Sequence, residues 1–135
     1  MFIELDSEWT LAATPAVVTR VCLDFRLSLL IDSELGDAEI HCNGTFSILD
    51  PENDVETVVT ATDDIPKLGR LRGALASIRI TRGGELQIAW ADRLVLVVPP
   101  GDAFEAWELA AGDLQLIGLP GGGVAVFGGS IDDAD

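Results

Sequence analysis

The chain has no tyrosine, one histidine, one methionine and two cysteines in 135 residues. Two cysteines cannot make a disulfide framework. A single histidine with no C-x-x-C or H-x-x-x-H spacing gives no metal-ligand pattern, so neither a metal nor a cofactor is expected. Basic residues are also scarce, 8 against 23 acids, for a net charge of −15. Such a surface repels phosphate backbones and anionic headgroups, which argues against nucleic-acid and membrane partners. Long apolar runs are missing too. The longest, such as Leu94–Pro100, are strand-sized and fall far short of the roughly 20 residues of a spanning helix. Met1–Asp6 is acidic and lacks a basic stretch followed by an apolar run, so no secretory signal is expected and the default location is cytoplasmic.

What remains is ample for a core. Hydrophobic residues make up 48% and aromatics only 6%, so the interior must be built from Val, Leu, Ile and Ala. The charge is uneven. Residues 1–66 hold 14 acids and two bases, Arg20 and Arg26, whereas residues 67–135 hold nine acids and six bases. A basic partner would be steered toward the first part. Lys67, Arg70, Arg72, Arg79 and Arg82 form a local positive region, read as neutralising the protein's own acids.

Period-2 alternation runs through the chain. From Val17 to Ile31 the odd positions are apolar apart from Thr19. A fifteen-residue strand is too long, so a turn or bend is expected near Asp24. Asp32–Asp37 reads as a loop, followed by strands at Ala38–Cys42 and Thr45–Leu49. Asp63-Asp64-Ile65-Pro66 has the cap and early proline of a helix start, which Gly69 and Gly73 keep short. Further strands are expected at Ala76–Thr81, Leu86–Trp90, Leu94–Val98, Phe104–Leu109, Leu114–Leu119 and Val124–Phe127. Gly83-Gly84 and Pro120-Gly121-Gly122-Gly123 supply turns. The spacing of Val21, Leu27, Leu29 and Ile31 recurs at Ile80, Leu86, Ile88 and Trp90, an offset of 59 with a three-residue slip afterwards, which points to a degenerate duplication. The predicted fold is mainly β, an antiparallel barrel or two packed sheets with one short helix. Residues 1–127 form one domain and residues 128–135 an acidic, frayed tail.

Candidate chemistry is sparse. Adjacent strand residues point to opposite faces, so His41 and Cys42 cannot ligate one metal together. Cys22 is expected on the polar face and Cys42 on the apolar one, too far apart for a disulfide. Of the paired acids, only Glu105 and Glu108, flanking Trp107, merit attention. No catalytic residue is assigned. Glu105, Trp107, Glu108 and Asp24 form the candidate interaction surface. An enzyme using Glu105, Glu108, Asp24 or His41 ranks last.

Three stretches carry a resemblance: Val21-Cys22-Leu23-Asp24-Phe25-Arg26-Leu27-Ser28-Leu29, Ala106-Trp107-Glu108-Leu109 and Leu119-Pro120-Gly121-Gly122-Gly123-Val124-Ala125-Val126. In this order they resemble a family of small uncharacterised actinobacterial proteins with C-terminal W-E-L and P-G-G motifs. The likeness spans about Glu8 to Phe127, with Phe127 where members carry Trp. It implies the extent of the domain and no activity. The composition itself suggests an intracellular binding protein, of the immunity or antitoxin type, that masks a basic partner. The alternative is a small-ligand or structural module with a cleft lined by Trp90 or Trp107.

Overall fold

A computed structural model describes residues 2–11, 15–24, 26–50, 55–59 and 69–128. It contains thirteen strands: β1 (Phe2–Glu4), β2 (Glu8–Leu11), β3 (Ala16–Leu23), β4 (Leu27–Ser33), β5 (Gly36–Cys42), β6 (Phe46–Asp50), β7 (Val55–Val59), β8 (Gly73–Thr81), β9 (Leu86–Trp90), β10 (Val95–Val98), β11 (Trp107–Ala111), β12 (Leu114–Gly118) and β13 (Val124–Phe127). All pairings are antiparallel, and the path β13-β12-β11-β5-β4-β3-β8-β9-β10-β6-β7 is open rather than closed into a barrel. The β1–β2 hairpin joins it on β8.

The order is nearly palindromic about the β3–β8 contact. Strands β3, β4 and β5 form one meander, and β8, β9 and β10 form a second. Each meander is extended by the hairpin that follows the other one in sequence. The β6–β7 hairpin leaves β5 yet pairs with β10, while β11–β12 leaves β10 yet pairs with β5. The register repeats as well. Leu23 and Val21 face Leu27 and Leu29, as Ile80 and Ile78 face Leu86 and Ile88. A register shift falls between Val18 and Arg20 in the first meander and between Leu75 and Ser77 in the second. The duplication read from spacing therefore has a structural counterpart. Its offset is 59 for the second strand and 57 for the first, because the second hairpin turn is two residues longer.

Chain connectivity makes this sheet fold over on itself. Cys42 and Phe46 are four Cα steps apart, a reach of at most about 15 Å. Along the sheet, β5 and β6 are six strand spacings apart, about 29 Å. The sheet must double back so that β5 and β6 lie across from one another, with the two inner faces packed as in a sandwich. The burial pattern agrees. Leu27, Leu29, Ile31, Ile40 and Leu109 from one half, and Ile78, Ile80, Leu86, Ile88 and Leu96 from the other, share one core and are at most 1% exposed. Phe46 and Trp107 occupy corresponding positions beside β10 and β5 and are both fully buried.

The P-G-G-G turn clasps the halves together. The Gly123 amide donates to the Gly83 carbonyl at 2.8 Å, and the Gly121 amide to Gly101 at 2.6 Å. Gly84, at φ +103°, lies so close to this turn that a Cβ would stand 2.9 Å from the Gly123 oxygen. Only glycine meets both demands.

Several expectations need correction. Trp107 is not part of an interaction surface. It is 0% exposed and its indole N–H donates to the Gly84 carbonyl at 2.8 Å. Trp90 is 3% exposed and donates to the Leu71 carbonyl at 2.8 Å. Neither lines a cleft, because each indole is buried with a main-chain acceptor for its one polar atom. In β3 the inward residues are Ala16 and Val18, and Val17 is 40% exposed. The bulge at Thr19 inserts one residue and reverses the parity, so that Val21 and Leu23 then turn inward. Asp32–Asp37 is a tight hairpin rather than a loop, with β4 running to Ser33 and β5 starting at Gly36. Phe104 lies outside the strand that begins at Trp107. The helix start at Asp63–Pro66 and the tail from residue 129 lie outside the described residues. Among those residues the one helical element is a single 3₁₀ turn at Gly69–Leu71. The β1–β2 hairpin had no counterpart in the sequence reading.

Candidate functional site

Strand parity sends alternate residues of β3, β4, β5 and β11 to the outside. Their register sets Cys22 beside Ser28, Ser28 beside His41, and His41 beside Glu108, in one row across four strands. Ser28 Oγ lies 2.7 Å from His41 Nδ1, and His41 Nε2 lies 3.2 Å from Glu39 Oε2. With the ring proton on Nε2 directed at Glu39, Nδ1 accepts from the Ser28 hydroxyl. The His41 side chain is only 18% exposed, so this chain of contacts is half sunk in the surface. Cys42, one residue on, is buried in the core and its thiol is pushed up to about 12 by desolvation. Cys22 and Cys42 are both free and face opposite sides.

A hydroxyl, an imidazole and a carboxylate in sequence resemble the parts of a nucleophilic site. The setting does not. Ser28 and His41 lie in the middle of paired strands, where ladder pairing engages the main chain.

The row continues to one end of the sheet. Asp24, in the β3–β4 turn, accepts from the Arg26 amide through Oδ1 at 3.1 Å. Arg26 reaches Glu108 at 3.9 Å. Asn43 Nδ2 donates to Glu108 Oε2 at 3.1 Å and to the Glu105 carbonyl at 3.0 Å. Asp24, Glu105 and Glu108 are therefore brought to one end of the outer face through Arg26 and Asn43. Trp107 is held behind them in the core. The sequence signal for Arg26 and Asn43 as organisers was absent, because both act through residues distant in the chain.

At the other end of the same face Asp32 and Asp37 stand directly opposite one another across β4 and β5, both exposed. Like charges so placed repel, and neither has an ion-pair partner among the described residues. Leu30, opposite Glu39, and Ile117, opposite Glu108, are half-buried on this outer face. On the other half three guanidinium groups are matched with carboxylates. Arg79 pairs with Glu8 at 2.6 Å, Arg82 with Glu4 at 3.0 Å while stacking on Trp9, and Arg70 with Asp50 and Asp92. Arg79 holds the Glu8 carboxyl below its usual range by hydrogen bonding and charge, and is itself raised by Glu8. The positive region is thus largely spent on internal neutralisation, although Lys67 lies outside the described residues and Arg72 is exposed.

A cleft of about 280 Å³ opens between the two crossing connections, lined by Thr45, Pro99, Pro100, Asp102 and Phe104. Phe104 is 50% exposed and lies against Gly44. The cleft is mostly apolar with one carboxylate.

Fold and surface together define the class: an internally duplicated antiparallel β protein with one acidic outer face. The chain matches the model of DUF6188, a family of unknown function, over residues 9–128, and belongs to that family. No curated protein and no solved structure matches it. Among the described residues no helix is long and apolar enough to cross a membrane.

Proposed function

We propose that this chain is an intracellular, non-enzymatic binding protein whose acidic outer face on β3, β4, β5 and β11 engages a basic protein, in the manner of an immunity or antitoxin protein that masks its target. The observation that carries this reading is the pair Asp32 and Asp37, unmatched among the described residues, with Glu39 and Glu108 around half-buried Leu30 and Ile117. Retaining like charges opposite each other costs stability, and a cationic partner offsets that cost. Arg20 and Arg26 are the only bases on these strands and their turns. Steering by such a face raises the association rate and weakens with salt.

The test is co-expression with the product of the adjacent gene, followed by native mass spectrometry of the purified pair. A one-to-one complex that dissociates at high salt, and that Asp32→Lys with Asp37→Lys abolishes, supports the reading. Failure to bind that product or to protect cells from it counts against it. A second reading, a small apolar ligand held beside Phe104, rests on the cleft at Pro99–Phe104. A thermal-shift screen in which Phe104→Ala removes a stabilising hit separates the two.

A further inference from the structure

The two connections that carry the exchanged hairpins do the same job at different lengths. Residues 43–45 suffice between β5 and β6, whereas residues 99–106 join β10 to β11. The second connection is longer than the crossing requires, and its surplus lines the cleft of about 280 Å³. This loop is held at three points. The Asn43 amide donates to the Ala106 carbonyl at 2.8 Å, Asn43 Nδ2 to the Glu105 carbonyl at 3.0 Å, and the Gly121 amide to the Gly101 carbonyl at 2.6 Å. Phe104 is seated between two glycines. A Cβ on Gly44 would stand 2.8 Å from its ring, and one on Gly101 would stand 2.8 Å from its carbonyl oxygen and 3.6 Å from the ring. Glycine at both positions lets backbone approach this closely. The ring is nonetheless 50% exposed. An aromatic side chain seated on one side and open on the other is already ordered for a partner. Asp102 lines the same cleft, and Glu105 follows the ring. Both are exposed, and neither has an ion pair among the described residues.

We propose that this cleft is an arginine anchor. It takes one arginine side chain of the basic partner, with the guanidinium stacked on Phe104 and paired with Asp102, and the aliphatic stem against Pro99 and Pro100. The proposal rests on the basic-partner reading and adds the point at which that partner is gripped. Charge and shape select the occupant together. An apolar group would take Asp102 out of water with nothing to pair it, which is unfavourable. An ammonium group would answer the carboxylate, but it is a compact, strongly hydrated charge that gains little from a ring and two prolines. A guanidinium is planar and weakly hydrated, stacks on aromatic faces and meets a carboxylate with paired donors. Its stem covers apolar surface while the head stays polar. The position fits as well. Asn43, which holds Glu105, also donates to Glu108 Oε2 at 3.1 Å, so the cleft adjoins the Asp24, Glu105 and Glu108 end of the acidic face. Steering by that face brings a cationic surface to the cleft.

Amide-resolved NMR of the full chain tests this. The probe is N-acetyl-arginine amide, titrated to about 50 mM at constant ionic strength, beside N-acetyl-lysine amide and the uncharged isostere N-acetyl-citrulline amide. Saturable shifts confined to residues 44–45 and 101–106 are expected with the arginine form, and binding at least about tenfold weaker with the other two. Asp102→Asn and Phe104→Leu should each remove those shifts and leave the rest of the spectrum in place. Gly44→Ala, which forces the ring to move, should weaken them. Equal binding of the citrulline form, shifts spread over the whole acidic surface, or no saturable shift would overturn the proposal. So would a neutral apolar compound that occupies the cleft equally well in Asp102→Asn. Asp32→Lys with Asp37→Lys should keep the arginine shifts while losing the basic partner. Conversely, a partner complex of unchanged affinity in Asp102→Asn with Phe104→Leu would overturn the anchor and leave the acidic-face reading standing.

Discussion

Strands β3–β7 and β8–β12 build the same five-strand unit twice, yet the two units show different chemistry to solvent. In the second, three cations are tied up: Arg79 with Glu8, Arg82 with Glu4, and Arg70 with Asp50 and Asp92. In the first, Asp32 and Asp37 face one another with no ion-pair partner among the described residues. Inside, the units remain alike, with leucine and isoleucine at matching registers and a buried aromatic, Phe46 or Trp107, at the start of each exchanged hairpin. Topology and register repeat between the units while surface charge does not. Inner positions answer to a shared core, where any change of volume is felt, while outer positions are free to acquire separate roles.

The strongest test of the comparison is the aromatic pair. Trp107→Ala and Phe46→Ala should each cost about 3–5 kcal/mol in urea unfolding. Trp107→Ala should be the worse, because it also strands the Gly84 carbonyl in the core. Both should unfold in one transition; two transitions for either would show that the halves are separable. Next comes Gly118→Ala. Its Cβ would stand 2.5 Å from the Trp107 indole nitrogen, and overpacking of this kind costs about 1–3 kcal/mol.

A smaller effect of opposite sign is expected at the acidic pair. Asp32→Asn should stabilise the chain by up to about 1 kcal/mol at low salt, and by less at high salt. A destabilised variant would mean that Asp32 has a structural role. The two ends of the pH scale report on different units. Glu8 has a lowered folded pKa, so its contribution is present above the ordinary value of 4.5 and is lost as pH falls through the folded value. Arg79→Ala should flatten that acid limb. Cys42 has a raised folded pKa, so its contribution is full below about 9.0 and is lost as pH rises toward about 12. Alkylation of the native protein near neutral pH should accordingly modify Cys22 and spare Cys42 until the chain is denatured.

Most strands were legible because one face of each is buried, which writes a period of two into the sequence. The failures have local causes. The Thr19 bulge leaves no compositional mark, so Val17 was placed on the wrong face. Trp107 sits between Glu105 and Glu108 and so looks like a surface aromatic, but the alternation that turns Glu108 outward turns Trp107 inward. The acidic opening of the chain hid a hairpin whose Trp9 is 3% exposed. The contact of Ser28 with His41 depends on the β4–β5 register, and Arg26 and Asn43 join residues up to 82 positions apart.

From sequence alone came the antiparallel β class, the hairpin turns, the duplication and the excess of acid in residues 1–66. These are local or additive properties, set by alternation, by glycine and by charge count. Tertiary structure alone decided that each unit's last hairpin would be exchanged to the other, and that the sheet would double over a single core. The reason is connectivity. Three residues between β5 and β6 cannot span six strands, and no local pattern records which distant strand a hairpin will join.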